Sequence, residues 1–217
     1  MSLFRLDASI RGDGSVSRQV ADTVEQAWRA EHPQAQVRRR DIGRDPLPAT
    51  AWTRAVGAGP VPPQEHTPEQ AEAVGLAATL ADEVLGADAY LFAVPLYNFG
   101  VPQHLKVWWD VLWTDPRWRA SGERPLAGRP GVLVVARGGG YGPGTPRDGW
   151  DHATPWLRRI FEDVLGLDLR IAEAELTLAS VTPAMAGLRD KAAEVLAAAH
   201  ATAADHGRSI AGLARAA

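Results

Sequence analysis

The chain has 217 residues, a formal net charge of -3 and no cysteine. Its length suits one domain with a substantial core, residues 1–217, and the missing thiols exclude disulfides, cysteine nucleophiles and Cys-ligated zinc or iron–sulfur centres. Mild acidity argues against a nucleic-acid binder held by phosphate neutralisation, and no apolar run reaches the roughly 18 residues of a membrane span, so a cytoplasmic protein is expected.

Leu3 to Ala8 alternates as a first strand and opens into a glycine- and hydroxyl-rich loop, Ser9 to Ser17. A helix follows, with Ser15 or Ser17 as N-cap and Val20, Val24, Ala27 and Trp28 at helical spacing until His32-Pro33. A strand, a hydroxyl loop and a helix N-terminus together suit a phosphate monoester, although for this segment alone a serine cap on a surface helix is the simpler explanation. The P-loop and GxGxxG patterns are both absent. Gln36 to Ile42 reads as a second strand, and Arg38-Arg39-Arg40 within it marks a solvated sheet edge. A Pro-, Gly- and Ala-rich excursion from Gly43 to about Thr67 should cover a site or pack on a partner. The next helix starts with a capping box, Thr67 to Gln70, and closes at Leu85-Gly86.

Ala89 to Val94 is a third strand. It leads into Pro95-Leu96-Tyr97-Asn98-Phe99-Gly100-Val101-Pro102, a loop stiffened by two prolines at the carboxyl edge of a parallel sheet, where open α/β sheets bind ligands. An ordinary strand-to-helix connection would also fit. The helix from Gln103 to Trp113 carries more aromatic surface than one core stripe needs, which suggests contact with a second subunit. Asp115 to Arg129 reads as irregular, with Trp118 exposed. Gly131 to Ala136 is a continuous apolar strand that opens into a second glycine loop, Arg137 to Gly144, whose Tyr141 can fold over a ligand. A helix from Thr154 to Leu165, a strand from Asp168 to Ala174 and a last helix from Pro183 to about Ala217 complete the chain.

This alternation predicts an α/β fold, a doubly wound five-stranded parallel sheet with helices on both faces. Three loops then gather at one sheet edge, one suited to a phosphate and two to a planar polar ring. FMN fits better than ATP, since no Walker lysine follows the first loop.

Pro95-Leu96-Tyr97-Asn98-Phe99, followed by Leu105-Lys106 and Asp110, resembles the PxYNF…LK…D signature of FMN-dependent NADH-azoreductases, which are flavodoxin-like homodimers. The resemblance implies hydride transfer from NADH or NADPH through FMN to quinones or azo compounds, at a site on the subunit interface. It implies Ser9, Ser15 and Ser17 on the phosphate, Pro95, Leu96, Tyr97, Asn98 and Phe99 along the flavin, and Gly138 and Gly139 near the pyrimidine edge. Arg11, Val16, Ala136, Arg137 and Tyr141 complete the expected cofactor set, and Phe99, Trp109, Trp113, Trp118, Tyr141 and Trp150 an acceptor pocket. Ala136 stands where a hydroxyl residue is frequent in the family, and the run from Gly140 to Trp150 is longer than expected. No catalytic side chain and no metal are called for, because flavin N5 carries the hydride. His104 and His152 could approach the site but fit capping roles as well. Two alternatives share the loops: a flavoenzyme tailoring an aromatic natural product, and a flavodoxin-type electron carrier.

Overall fold

A computed structural model describes residues 1–120 and 124–214. Five parallel strands form one sheet in the order β2-β1-β3-β4-β5: β1 (Ser2–Asp7), β2 (Gln36–Asp41), β3 (Ala89–Pro95), β4 (Pro130–Ala136) and β5 (Asp168–Ala174). This is the flavodoxin-like order, with its reversal of direction at β1 and β3. The central strands are buried on both faces, as crossover helices require.

On one face α1 (Val16–Glu31) and α7 (Arg189–Ala214) cover Leu3, Leu91, Val132 and Val134. Gly207 lets the two helices touch, since a Cβ there would sit 2.5 Å from the Val24 carbonyl oxygen. The other face is covered by α2 (Ala51–Ala58), α3 (Pro68–Leu85), α4 (Gln103–Leu112) and α6 (Thr154–Arg158), with short α5 (Arg117–Ala120) beside them. Phe4, Phe92, Trp108 and Phe161 fill this side, Phe92 stacking on Phe161 at 3.9 Å.

Several expectations need correction. The excursion after Gly43 contains a helix that the sequence reading does not place: Ala51, Ala55 and Ala58 of α2 pack inward. Its apolar positions are alanines, too small to stand out as a helical stripe in a loop rich in Pro and Gly. The tryptophans of α4 do not form an outward face. Trp108 is fully buried, Trp109 stacks on Trp113 at 4.9 Å, and Trp113 stacks on Trp118 at 5.8 Å. Trp118, expected to be exposed, is 1% exposed. The 115–129 segment that carries it also includes residues 121–123, which lie outside the described residues. The helix from Thr154 continues from Arg159 to Val164 as a π-helix, Leu165 N–H donating to the Ile160 carbonyl at 2.9 Å. The last helix is preceded by a 3-10 turn, Pro183–Leu188, and its expected end at Ala217 lies outside the described residues.

The arginines of β2 are only partly solvated. Successive side chains alternate between faces, and Arg39 donates to Glu25 on α1 at 2.8 Å while Arg40 donates to Glu83 on α3 at 2.6 Å. The edge strand is thus held from both sides, although Arg38 and Arg39 are both exposed. The capping box of α3 forms as expected, Gln70 N–H to Thr67 Oγ1 at 3.2 Å and Thr67 N–H to Gln70 Oε1 at 3.0 Å.

Candidate functional site

The loops after β1, β3 and β4 enclose an open cleft of about 170 Å³ at the carboxyl edge of the sheet. Ser9, Arg11, Ser15, Val16 and Ser17 form one wall; Pro95, Leu96, Tyr97, Ala136 and Gly138 form the other. Thr177 and Leu178, from the loop after β5, close the end and were not foreseen. They follow the last strand at the same sheet edge, and that topological position was the available signal.

The first loop is held from below. Arg18, on the first turn of α1, donates to the Ser9 carbonyl at 2.7 Å and the Arg11 carbonyl at 3.1 Å, and a two-pronged pair with Asp41 at 2.6 and 2.7 Å fixes its guanidinium. With the loop carbonyls turned toward Arg18, the N–H groups of Val16 and Ser17, which precede the first intrahelical bond of α1, remain for a ligand. Ser15 occupies the N-cap position, yet its side chain makes no capping bond; it shares one 3.3 Å hydrogen bond with Ser17 Oγ. Both serines are buried, and two hydroxyls sharing one bond leave a proton to donate. Ser9 Oγ accepts from Arg11 N–H at 3.2 Å and lies 3.4 Å from the Tyr97 hydroxyl; with Tyr97 as donor in that pair, the Ser9 proton is left for a ligand. This donor set, at a helix N-terminus, suits an anion.

The second loop is a tight turn. Tyr97 and Gly100 exchange both backbone hydrogen bonds, at 3.1 and 3.0 Å, and Asn98 and Phe99 between them have φ of 49° and 69°. Positive φ at both central positions is the type I′ geometry, which Asn tolerates and Phe does not favour. The turn points Asn98 and Phe99 outward, so neither lines the cleft, while Leu96 N–H donates to the Ala136 carbonyl and ties this loop to β4. Behind it His104 is buried and donates from Nε2 to the Ala8 carbonyl at 2.7 Å, which fixes its tautomer and makes it a brace rather than a cleft residue. His152 is exposed; its backbone N–H donates to the Phe99 carbonyl at 2.9 Å.

In the third loop Gly138 lines the cleft, and the Arg137 side chain turns away from it. Arg137 donates to Asp151 at 2.7 Å, Glu173 at 2.6 Å and the Thr154 hydroxyl at 2.8 Å, and it lies 3.5 Å from Glu175. It is a clasp joining β4, β5 and the start of α6. Gly139 is buried behind the wall, and Tyr141 sits beside Arg147. Of the expected acceptor-pocket residues, Trp109, Trp113 and Trp118 belong to the internal stack, and Trp150 packs edge-on against Phe99 at 5.4 Å.

Three carboxylates around the site are held below their ordinary range. Burial pushes Asp151 up, and the N–H groups of Thr154 and Ala153, the Thr154 hydroxyl and the Arg137 charge outweigh it. Burial likewise opposes Asp41 and Glu25, and hydrogen bonds from Arg18 to the one and from Arg39, Arg29 and Arg5 to the other prevail. A depressed folded-state pKa stabilises the fold above the unfolded value, about 4, and the contribution is lost as pH falls through the folded value. Thermal melts followed by circular dichroism should therefore hold steady from neutral pH to about 5 and drop steeply below about 4. A melting temperature unchanged down to about pH 3 would contradict this account.

A model of the flavodoxin-like fold matches residues 1–205, and the chain belongs to that family. Among its relatives, it is 40% identical over 214 residues to an FMN-dependent NADH:quinone oxidoreductase from Kineococcus radiotolerans, covering 96% of this chain and 99% of the relative. A protein of the same name from a Parafrankia species is 38% identical over 190 residues, 87% of this chain and 90% of its own. Two solved structures from Bacillus anthracis share the fold. An azoreductase superposes with a TM-score of 0.77 at 22% identity, covering 96% of this chain and 99% of its own. An FMN-dependent NADH-azoreductase in complex with FMN gives 0.72 at 19%, covering 97% and 99%.

Proposed function

We propose that this chain, acting as one domain, binds FMN in the cleft and transfers hydride from NADH to quinones or azo compounds. The observation that carries the reading is the buried Ser15–Ser17 pair at the start of α1, whose spare donor and neighbouring N–H groups fit a phosphate monoester. The family membership and the names of the relatives support the rest.

In this reading Ser9, Ser15, Ser17 and the N–H groups of Val16 and Ser17 hold the phosphate, and exposed Arg11 stands at its outer side. Pro95, Leu96 and Tyr97 bear on one side of the ring system, and Ala136 and Gly138 on the other, with Asn98, Phe99, Gly139 and Tyr141 at its rim. Arg137 acts on the cofactor indirectly, by fixing the glycine loop. When bound, FMN supplies the hydride chemistry. The protein groups orient and polarise, and backbone donors aimed at the ring edge stabilise negative charge without reorganising. The resemblance supports a homodimer with its site at the interface, and the dependence on NADH suits the cytoplasm.

Absorbance of the purified protein with FMN, before and after anaerobic NADH, tests the assignment. A bound flavin band that bleaches on NADH and returns with a quinone is expected. The Ser15→Ala/Ser17→Ala double variant should weaken FMN binding by about 10- to 100-fold, the loss of two hydrogen bonds to a charged group at an exposed-edge site. No FMN binding at all would refute the cleft assignment, and light scattering at a monomer mass the homodimer.

A further inference from the structure

Between Gly140 and Trp150 the chain holds a cation that has no carboxylate partner among the described residues. The Arg147 guanidinium carbon lies 5.8 Å from the centre of the Phe99 ring and 5.7 Å from that of Tyr141. Among the described residues its guanidinium makes one hydrogen bond, a long one, from Nη1 to the Tyr141 hydroxyl at 3.4 Å. Arg137, at the root of the same loop, meets three carboxylates. The difference matters electrically: aromatic faces attract a cation through their quadrupoles without neutralising it, so Arg147 keeps its full charge for a ligand.

Its position relates it to the cleft. A Cβ on Gly139 would come within 2.9 Å of Arg147 Nη1, so the absence of a side chain there lets the guanidinium rest against the loop, one residue from cleft-lining Gly138. Beside it stand two exposed aromatic rings. Phe99 is 38% exposed because the positive-φ turn directs it outward, and Trp150, 53% exposed, stands on it at 75°. The rim therefore offers aromatic faces and one unneutralised positive charge, on a chain whose net charge is negative.

We propose that Arg147 is a specificity-determining residue, selecting a planar aromatic acceptor that carries an anionic substituent such as a sulfonate or carboxylate. This rests on the quinone or azo reductase reading above. The ring system lies along Phe99 and Trp150, and the guanidinium fork meets the anion in a charge-assisted, two-pronged contact. Lysine keeps the charge and loses the fork and the stacking, so it serves less well.

The test uses the full-length FMN-loaded protein, naphthoquinone sulfonate and its uncharged naphthoquinone parent. Steady-state NADH oxidation should show Arg147→Ala lowering kcat/KM for the sulfonate about tenfold, the size of one charge-assisted contact at a partly solvated rim, with the parent quinone unaffected and Arg147→Lys intermediate. Added salt should reduce the sulfonate rate alone. Equilibrium dialysis of the sulfonate against oxidised protein without NADH should show the same loss of affinity. An equal loss for both quinones would overturn the proposal by making Arg147 a support for its loop. A change confined to the KM for NADH would overturn it in favour of the donor's pyrophosphate. If the wild-type protein turns over neither quinone, the reductase reading fails, and the dialysis alone decides: sulfonate binding that survives Arg147→Ala overturns the proposal, and binding lost with it supports it.

Discussion

Arg5→Met is expected to destabilise the protein by about 3–5 kcal/mol, the usual cost of removing one partner from a buried charge group. Arg5 is 1% exposed in the middle of β1, and its guanidinium donates to Asp7 at 3.0 to 3.2 Å, Asp22 at 2.6 Å and Glu25 at 2.9 Å. Asp7 is completely buried, and its other cations, Arg18 and Arg39, stand off at 3.7 Å. Without Arg5 the Asp7 carboxylate must either stay charged in a dry site or take up a proton. For a chain of this size about 4 kcal/mol corresponds to roughly 10 °C in melting temperature. The double variant Arg5→Met/Asp7→Leu should recover part of that loss, because replacing both partners removes the uncompensated charge. If the two substitutions simply add, the pair is not the source of the cost. The site should suffer too, because Arg18, which holds the Ser9 and Arg11 carbonyls, packs against the same group.

Gly43→Ala is expected to abolish tight FMN binding while costing only about 1–3 kcal/mol of stability, the range for overpacking a close contact. A Cβ at Gly43 would sit 2.0 Å from the Ser9 carbonyl oxygen and 2.4 Å from its carbon, both backbone atoms that cannot rotate aside. Relief requires the loop after β1 to lift away from the end of β2, which carries Ser9 off its bond with Arg18 and shifts the serines of the anion cradle. Losing two or three phosphate contacts at about 1 kcal/mol each raises the FMN dissociation constant about 100-fold. Gly142→Ala is the control: nothing lies within 4 Å of its Cβ position, and it should bind FMN as the parent does. Flavin fluorescence titration measures both. Equal binding by Gly43→Ala and Gly142→Ala would show that the cradle does not depend on the β2 end.

Strand boundaries, sheet class and the three loops were legible in the sequence because each rests on local pattern: apolar runs of strand length, and glycines or prolines where they end. The contacts that hold the loops were not. Arg5 and Asp7 are two apart in β1, so they share a face, and in a doubly wound sheet that face is covered by helices; the pair could have been read as a buried ion pair. Its completion by Arg18, Asp22, Glu25 and Asp41 comes from about two turns of helix and another strand, which one-dimensional pattern does not join. Arg137 shows the converse. Its position in a glycine loop suggests a ligand contact, and the carboxylates that claim it lie 14 to 38 residues further along the chain. The tryptophans of α4 looked excessive for a core stripe because the segment holding Trp118 folds back to pack with them, and nothing local announces that return.

That indole stack has an optical consequence. Rings in contact, as in the run Trp109, Trp113 and Trp118, do not absorb independently; their transition dipoles couple and split. The far-ultraviolet circular dichroism of this protein, where the intense indole transition lies, should contain an exciton couplet that belongs to the polypeptide alone, an internal gauge of whether the segment after α4 is folded home, readable before any cofactor is added.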